Sequence, residues 1–373
     1  MSVAHARSSL PPPPPRALDD AGRPRYGAYA GVLAGADLKE AHAEGLGPRV
    51  GAAPRGGILG RAFLAARRLR HKRWLYVGVF GERAFVGAAV LDLGYLGGAF
   101  AYAGDRASGE LAETSWMLPG GPGVDVAAAF DSGVSAARLG ERRVSFAALP
   151  GREANGAGPA SFVGEVRSAE VDADLEIDGL GTALSVLTDL GGGLPATTIK
   201  AVGARVRGKV RLRGRAIPLD GATYAAIDWT HGFFPYRTVW RWATAAGRDA
   251  AGRLVGVNLC RGVHEDPHGR FSENALWLDG RPAALPRIAV DVPDDPTAPW
   301  TIRSAPGGAG AGGLVDLRFR PLGERRGDVN FGVIHSAFRQ PFGTFEGTVR
   351  DLDGRESRLE GTGGVVEDHT AKW

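Results

Sequence analysis

The stretch DWTHGFFPYRTVWRW, Asp228 to Trp242, holds three Trp, two Phe, one Tyr, one Asp, one His and two Arg in fifteen residues. In a chain that is only 8% aromatic, such a concentration needs a physical reason. The second half reads as a strand, because side chains on a strand alternate between faces. That puts Tyr236, Thr238, Trp240 and Trp242 on one face and Arg237, Val239, Arg241 and Ala243 on the other. The Phe234-Pro235 step breaks the pattern before it, since Pro has no N–H for a ladder and pushes its predecessor toward an extended conformation. The stretch is therefore strand, corner, strand.

The same texture extends outward in both directions. Upstream of this stretch, from Trp74 onward, come WLYVGVF, RAFVGAAVL, GGAFAYA, RRVSFAAL, ASFVGEVRS and EVDADLEID. Downstream come RLVGVNLC, ENALWLDG, PRIAVDV, LVDLRFRP, VNFGVIHSAFRQ, GTFEGTVRD and SRLEGTGGVVEDH. Asp279-Gly280 and Asp353-Gly354 are hairpin turn signals. The 57 Gly, about twice ordinary usage, disfavour long helices and suit turns and strand bends. Many short strands at close spacing predict an all-β protein, with two antiparallel β-barrels or barrel-like sandwiches in tandem and few short helices. Ala36–Leu46 and Ile58–His71 are the helix candidates. The expected organisation is a Pro-rich disordered tail over 1–30, a first half over 31–190 and a second over 191–373. The boundary is drawn at the Gly- and Pro-rich stretch Gly181–Thr198.

Composition excludes several classes. Net charge is only +4, from 45 basic and 41 acidic residues, and no nucleic-acid module is present. One Cys, Cys260, rules out a disulfide within the chain. No phosphate-binding loop or dinucleotide fingerprint occurs, so no cofactor is expected; no metal site is expected either. The apolar run Phe85–Gly104 is long enough to span a bilayer, but Asp92 and its glycines read better as two strands and a turn. A cytoplasmic protein with no transmembrane segment is expected, and oligomeric state is not legible. The basic run Arg67–Arg73 reads as a solvated flank or an anion contact. The proline tract Pro11–Pro15 reads as a solvated tail or a partner-binding segment.

The aromatic corner admits two readings. In one, Asp228 pairs with Arg237 and the Trp residues are plain core. In the other, Trp240, Trp242 and Trp277 line a cavity for an apolar small molecule, with Arg237, Asn258, Glu273 and Asn274 as further ligand-binding candidates. Asp228 would then be a buried acid of raised pKa, with His231 or Tyr236 completing a proton relay for hydration, cyclisation or isomerisation. A carrier without chemistry and a structural or partner-binding protein are the other classes kept open. Weaker candidates are His264 and His268 as metal ligands, Glu367, Asp368 and His369 as an acid–base set, and Ser336, which lacks a nucleophile elbow.

Several of these segments together carry a resemblance. KRWLYVGVF, TTIK, AIDWTHGFFPYRTVWRWATA, VGVNLC, SENALWLDG, PWTIRS, VNFGVIHSAFRQPFGTFEGTV and EDHTAKW resemble the bacterial domain-of-unknown-function family 2804. More distantly, the corner is similar to that of the tandem-lipocalin proteins, which include carotenoid hydratases and tocopherol cyclase. That resemblance implies two lipocalin-like barrels and a lipid, isoprenoid or polyketide ligand. It also implies Asp228 as the corner acid, with Thr230 and His231 departing from the pattern.

Overall fold

The computed structural model describes residues 9–46, 65–149, 161–219, 221–306, 313–330 and 332–373. They form two antiparallel sheets. The first sheet takes β1 (Gly27–Ala30), β2 (His71–Phe80), β3 (Ala84–Asp92), β4 (Leu96–Asp105), β5 (Glu110–Pro119), β6 (Val124–Asp125) and β7 (Gly133–Leu139). It continues through β8 (Arg142–Leu149), β9 (Ser161–Arg167), β10 (Val171–Asp178), β11 (Leu184–Asp189), β12 (Pro195–Leu212), β13 (Arg215–Ile217) and β14 (Tyr224–Phe233). The second takes β15 (Arg237–Arg248), β16 (Leu254–Arg261), β17 (Ala275–Leu278), β18 (Arg281–Ala284) and β19 (Ile288–Asp291). It ends with β20 (Trp300–Ser304), β21 (Leu314–Asn330), β22 (His335–Arg350) and β23 (Glu356–Lys372).

The hydrogen-bonded order of the first sheet is β5-β4-β3-β2-β14-β12-β10-β9-β8-β7-β6, with β11, β1 and β13 attached through β12. That of the second is β18-β17-β16-β15-β23-β22-β21-β20-β19. Each sheet curls over its own apolar face. The first encloses Leu75, Val77, Phe146, Phe162, Ile199 and Trp229; the second encloses Leu259, Trp300, Phe319 and Phe345. The space between Phe130, Phe146, Phe162 and Trp229 does not admit a water molecule. A third apolar layer lies between the sheets, where Tyr76, Phe85, Tyr102, Val202 and Tyr224 of the first meet Trp242, Cys260, Trp277 and Phe342 of the second. Strand alternation explains how one strand serves two layers. On β12, Ile199 and Ala201 face the first core while Val202 faces the seam. A bulge at Gly203, whose φ of +98° favours glycine, resets the register there.

The predicted all-β class holds, and Phe85–Gly104 forms a hairpin of β3 and β4. Other expectations are corrected. The sheets change at Phe234–Tyr236 rather than near residue 190. The Gly-rich stretch is the β11–β12 hairpin inside the first sheet, so it marks no boundary. Residues 9–30 are not a free tail. Pro11 accepts a bond from Ala30 N, and Ser9 bridges Ala283 of the second sheet, so the proline tract lies across both sheets. Ala36–Leu46 contains only a 3-10 turn at Glu44–Leu46. Of the longer helix candidate, residues 65–70 are helical; 58–64 lie outside the described residues. The basic run is not a solvated flank throughout. Arg67 donates to the carbonyls of Lys39 and Ala41, Lys72 is fully buried, and Arg73 pairs with Asp92. No described helix is long and apolar enough to cross a membrane.

Candidate functional site

The register of β12 against β14 places Lys200 directly opposite Asp228, two residues from Thr198 and Thr230 on the same face. That face is the seam. Lys200 Nζ lies 2.8 Å from Asp228 Oδ2 and 3.1 Å from Glu273 Oε2, the latter from the second sheet. Thr230 Oγ1 donates to Asp228 Oδ1 at 2.8 Å, with Thr198 Oγ1 2.9 Å behind it, and Trp74 Nε1 reaches Oδ2 at 3.3 Å. Asn258 Nδ2 donates to Glu273 Oε2 at 3.2 Å, and its Oδ1 accepts from Trp242 Nε1 at 2.8 Å. The Lys200 ammonium also sits 5.5 Å from the centre of the Trp242 ring. One cation thus joins two carboxylates and two sheets in a place nearly closed to water.

Burial alone would raise the pKa of Asp228. The adjoining charge and hydrogen bond of Lys200, with Thr230 and Trp74, outweigh burial and hold the carboxyl below its usual range. Burial likewise works against the Lys200 charge, but Asp228 and Glu273 win and raise its pKa. Asp228 is therefore held as an ionised acceptor, as in the ion-pair reading of the corner, but its cation is Lys200 and not Arg237. It keeps 12% of its side-chain surface, against 4% for Lys200 and 2% for Glu273. It is the least buried member of the triad.

The other predicted catalytic residues are elsewhere. His231 is three residues from Asp228, an odd number, so it points to the opposite face. It stacks on Trp229 at 3.9 Å inside the first core, and neither ring nitrogen has a hydrogen-bond partner among the described residues. Burial drives its pKa well below the ordinary value, with His71 and Arg73 adding to the effect. It cannot relay a proton to Asp228. Tyr236 lies outside the strand, exposed, and donates to Val333 O at 2.6 Å. Arg237 is exposed at the start of β15, opposite Lys372, and does not pair with Asp228. Asn274 faces away from the seam and braces backbone, accepting from Cys260 N and donating to Pro286 O. Trp277 is core, its Nε1 donating to Thr182 O. Trp242, Asn258 and Glu273 do converge on Asp228, through Lys200. Lys200 itself carried no predicted role. Its one signal is that a chain with few lysines sets one in the apolar run TTIKAVGA.

His231 provides a direct check on this assignment. Replacing it with Leu removes two unpartnered buried nitrogens and should raise stability by about 1 kcal/mol. Its folded pKa lies below the unfolded one, so His231 lowers stability as pH falls from about 6.5, and the variant should be less acid-sensitive. Urea midpoints at pH 5 and pH 7 measure both effects. A destabilised variant would assign the ring a hydrogen-bonding role.

Beside Asp228, Trp74 begins a chain of aromatic contacts. Trp74 packs on Phe234 at 5.3 Å and Phe234 on Trp373 at 6.0 Å. Trp373 stacks with Trp240 at 6.2 Å, and Trp240 lies 4.0 Å from His369. On the other side Tyr76 contacts Trp242 at 5.4 Å and Phe100 at 6.3 Å, and Arg325 lies over Phe100 and Phe338. Trp74 ties the first of these chains of rings to Asp228 through its Nε1.

The sequence matches the family Domain of unknown function (DUF2804) over residues 58–373. The chain belongs to this family. Among curated proteins none matches the sequence. Several solved structures are similar, among them the following three. A candidate AttH from Nitrosomonas europaea is 13% identical, with 80% of this chain and 92% of that one covered and a TM-score of 0.46. Kievitone hydratase from Nectria haematococca is 11% identical, covering 81% and 88%, with a TM-score of 0.45. CghA is 12% identical, covering 81% and 88%, with a TM-score of 0.44.

Proposed function

We propose that this DUF2804 protein binds an apolar small molecule carrying a hydroxyl group, held in the seam between its sheets. The observation that carries the reading is the pairing of half-buried rings, Trp74, Trp240 and Trp373, with Asp228, the least buried member of the charged triad. Such a site is mostly apolar with one fixed polar group, the usual make-up of a small-molecule pocket. The aromatic walls favour an isoprenoid-, polyketide- or lipid-like skeleton. The ionised Asp228 accepts a hydrogen bond from the hydroxyl. Acid catalysis by Asp228 is disfavoured, because Lys200 removes the proton it would need to give. A role in chemistry would be that of an anionic base or electrostatic partner.

Intrinsic Trp fluorescence tests the reading with farnesol and its methyl ether as probes. Farnesol should quench saturably and bind about tenfold tighter than the ether, the value of a hydrogen bond to a charged acceptor. Asp228→Asn should erase most of that preference. Trp240→Ala should weaken both probes alike. Absence of saturable quenching, or a preference untouched by Asp228→Asn, would remove the proposed site.

A further inference from the structure

Ser336 Oγ lies 2.9 Å from His369 Nε2, and His369 Nδ1 lies 2.8 Å from Glu367 Oε1. We infer that Ser336, His369 and Glu367 form a nucleophile–base–orienter relay that cleaves carboxylic esters of apolar groups at the mouth of the seam. The inference goes beyond ligand binding and makes no use of Asp228.

The sheet builds this arrangement. Glu367 and His369 are two apart on β23, so they share a face. Ser336 on β22 pairs with Ala371, which makes His369 its diagonal neighbour across the ladder. The tautomer follows from the partners. A carboxylate only accepts, so Nδ1 carries the proton toward Glu367, and Nε2 is left to accept from the Ser336 hydroxyl. The second oxygen of Glu367 accepts from Gln340 Nε2 at 2.7 Å, which fixes the carboxylate in turn. Gln340 is buried, whereas Ser336, His369 and Glu367 keep contact with solvent. Each member is thus held by the next, and the reacting end is open. That is the logic of an activated serine, recognised by geometry rather than by sequence order.

In the first step Ser336 Oγ bonds to the ester carbonyl carbon while His369 Nε2 takes the hydroxyl proton. The carbon–alkoxide bond then breaks, and the alcohol leaves with that proton. Water attacks the acyl-serine in the same way, gives its proton to His369, and the carboxylic acid departs as Ser336 Oγ recovers the proton. Backbone N–H groups here are committed to β21 and β23, because β22 is an inner strand. The guanidinium of Arg325 lies on this face opposite Gln340, four residues along β22 from Ser336. It lies 4.4 Å from the Phe338 ring, with its Nε held by Glu113 at 2.7 Å. Trp240 and Phe338, 4.0 and 5.5 Å from His369, give the substrate an apolar wall.

The test uses the full chain, an alkyl fluorophosphonate and p-nitrophenyl esters of acetate and octanoate. The reagent should form an adduct mapped to Ser336, and octanoate should be hydrolysed faster than acetate. Ser336→Ala should abolish the adduct and lower kcat/KM by at least about 100-fold, and His369→Gln should do the same. Glu367→Gln, a positioning change, should lower kcat with KM held. No adduct on Ser336 in folded protein overturns the inference. Hydrolysis unchanged in Ser336→Ala of unchanged melting temperature also overturns it. Neither readout involves farnesol, so failure here is distinct from failure of the binding function.

Discussion

Replacing Lys200 with Met should destabilise the protein by about 3–5 kcal/mol, the usual cost of removing one partner from a buried charge network. The volume change is small and the apolar stem is kept, so packing accounts for little of it. What is lost is the only cation among the described residues within bonding distance of both Asp228 and Glu273. Two carboxylates then share a dry seam. The sign of the pH dependence separates this cause from simple misfit. In the parent, Asp228 has a lowered pKa, so its contribution is present above about pH 4 and is lost as pH falls through the lower folded value. In the variant, burial of Asp228 is no longer offset by the Lys200 charge, so its pKa rises. The variant's deficit should therefore shrink as pH drops toward 5 and Asp228 protonates. Adding Asp228→Asn and Glu273→Gln should recover much of the loss at neutral pH. Urea unfolding from pH 5 to 8 reads all of this. A deficit independent of pH would mean that the seam does not depend on this charge.

Lys72 should govern stability on the alkaline side. Its side chain is fully buried, and it forms no salt bridge with a carboxylate among the described residues. Its Nζ donates to the carbonyls of Leu69 and Leu93 and lies 4.4 Å from the Tyr95 ring and 5.4 Å from the Trp373 ring. Burial lowers its pKa to about 7, with Asp92 opposing only in part. The unfolded chain thus binds a proton that the folded chain gives up. Stability should rise between pH 7 and 9, by about 2 kcal/mol at roughly 1.4 kcal/mol per unit. Above pH 9 the buried Cys260 thiol, and then Tyr102, pull the other way, because their folded pKa values are raised. Lys72→Met should flatten the rise between pH 7 and 9. Calorimetric melting across that range tests it, and a slope that survives the substitution would assign the proton to another group.

The sequence by itself determined the class of fold and much of the site's position. Alternation put Trp240 and Trp242 on one face, and Asn258 with Cys260, because side-chain period on a strand is a local property. The same parity was available to separate His231 from Asp228, an odd step apart on one strand, and reading the two as a relay overlooked it. The corner at Phe234-Pro235 was legible for the same local reason, as the place where one strand must end.

Only the tertiary structure decided what the corner does. Asp228 meets Lys200 because β12 and β14 pair in one register, and Glu273 joins them because the second sheet packs on the first. Neither relation leaves a mark in spacing. The ionisation of Asp228 then depends on which partner arrives, so acid and acceptor were equally consistent with the sequence. Ser336 and His369 lie 33 residues apart on neighbouring strands, and no motif spans such a pair. Residues 9–30 look solvated by composition, yet Ser9 and Pro11 bond across two sheets because their backbone groups find partners there. Periodicity reports what one element buries. Pairing between distant strands fixes which charges share the seam, and that sets their protonation and their chemistry.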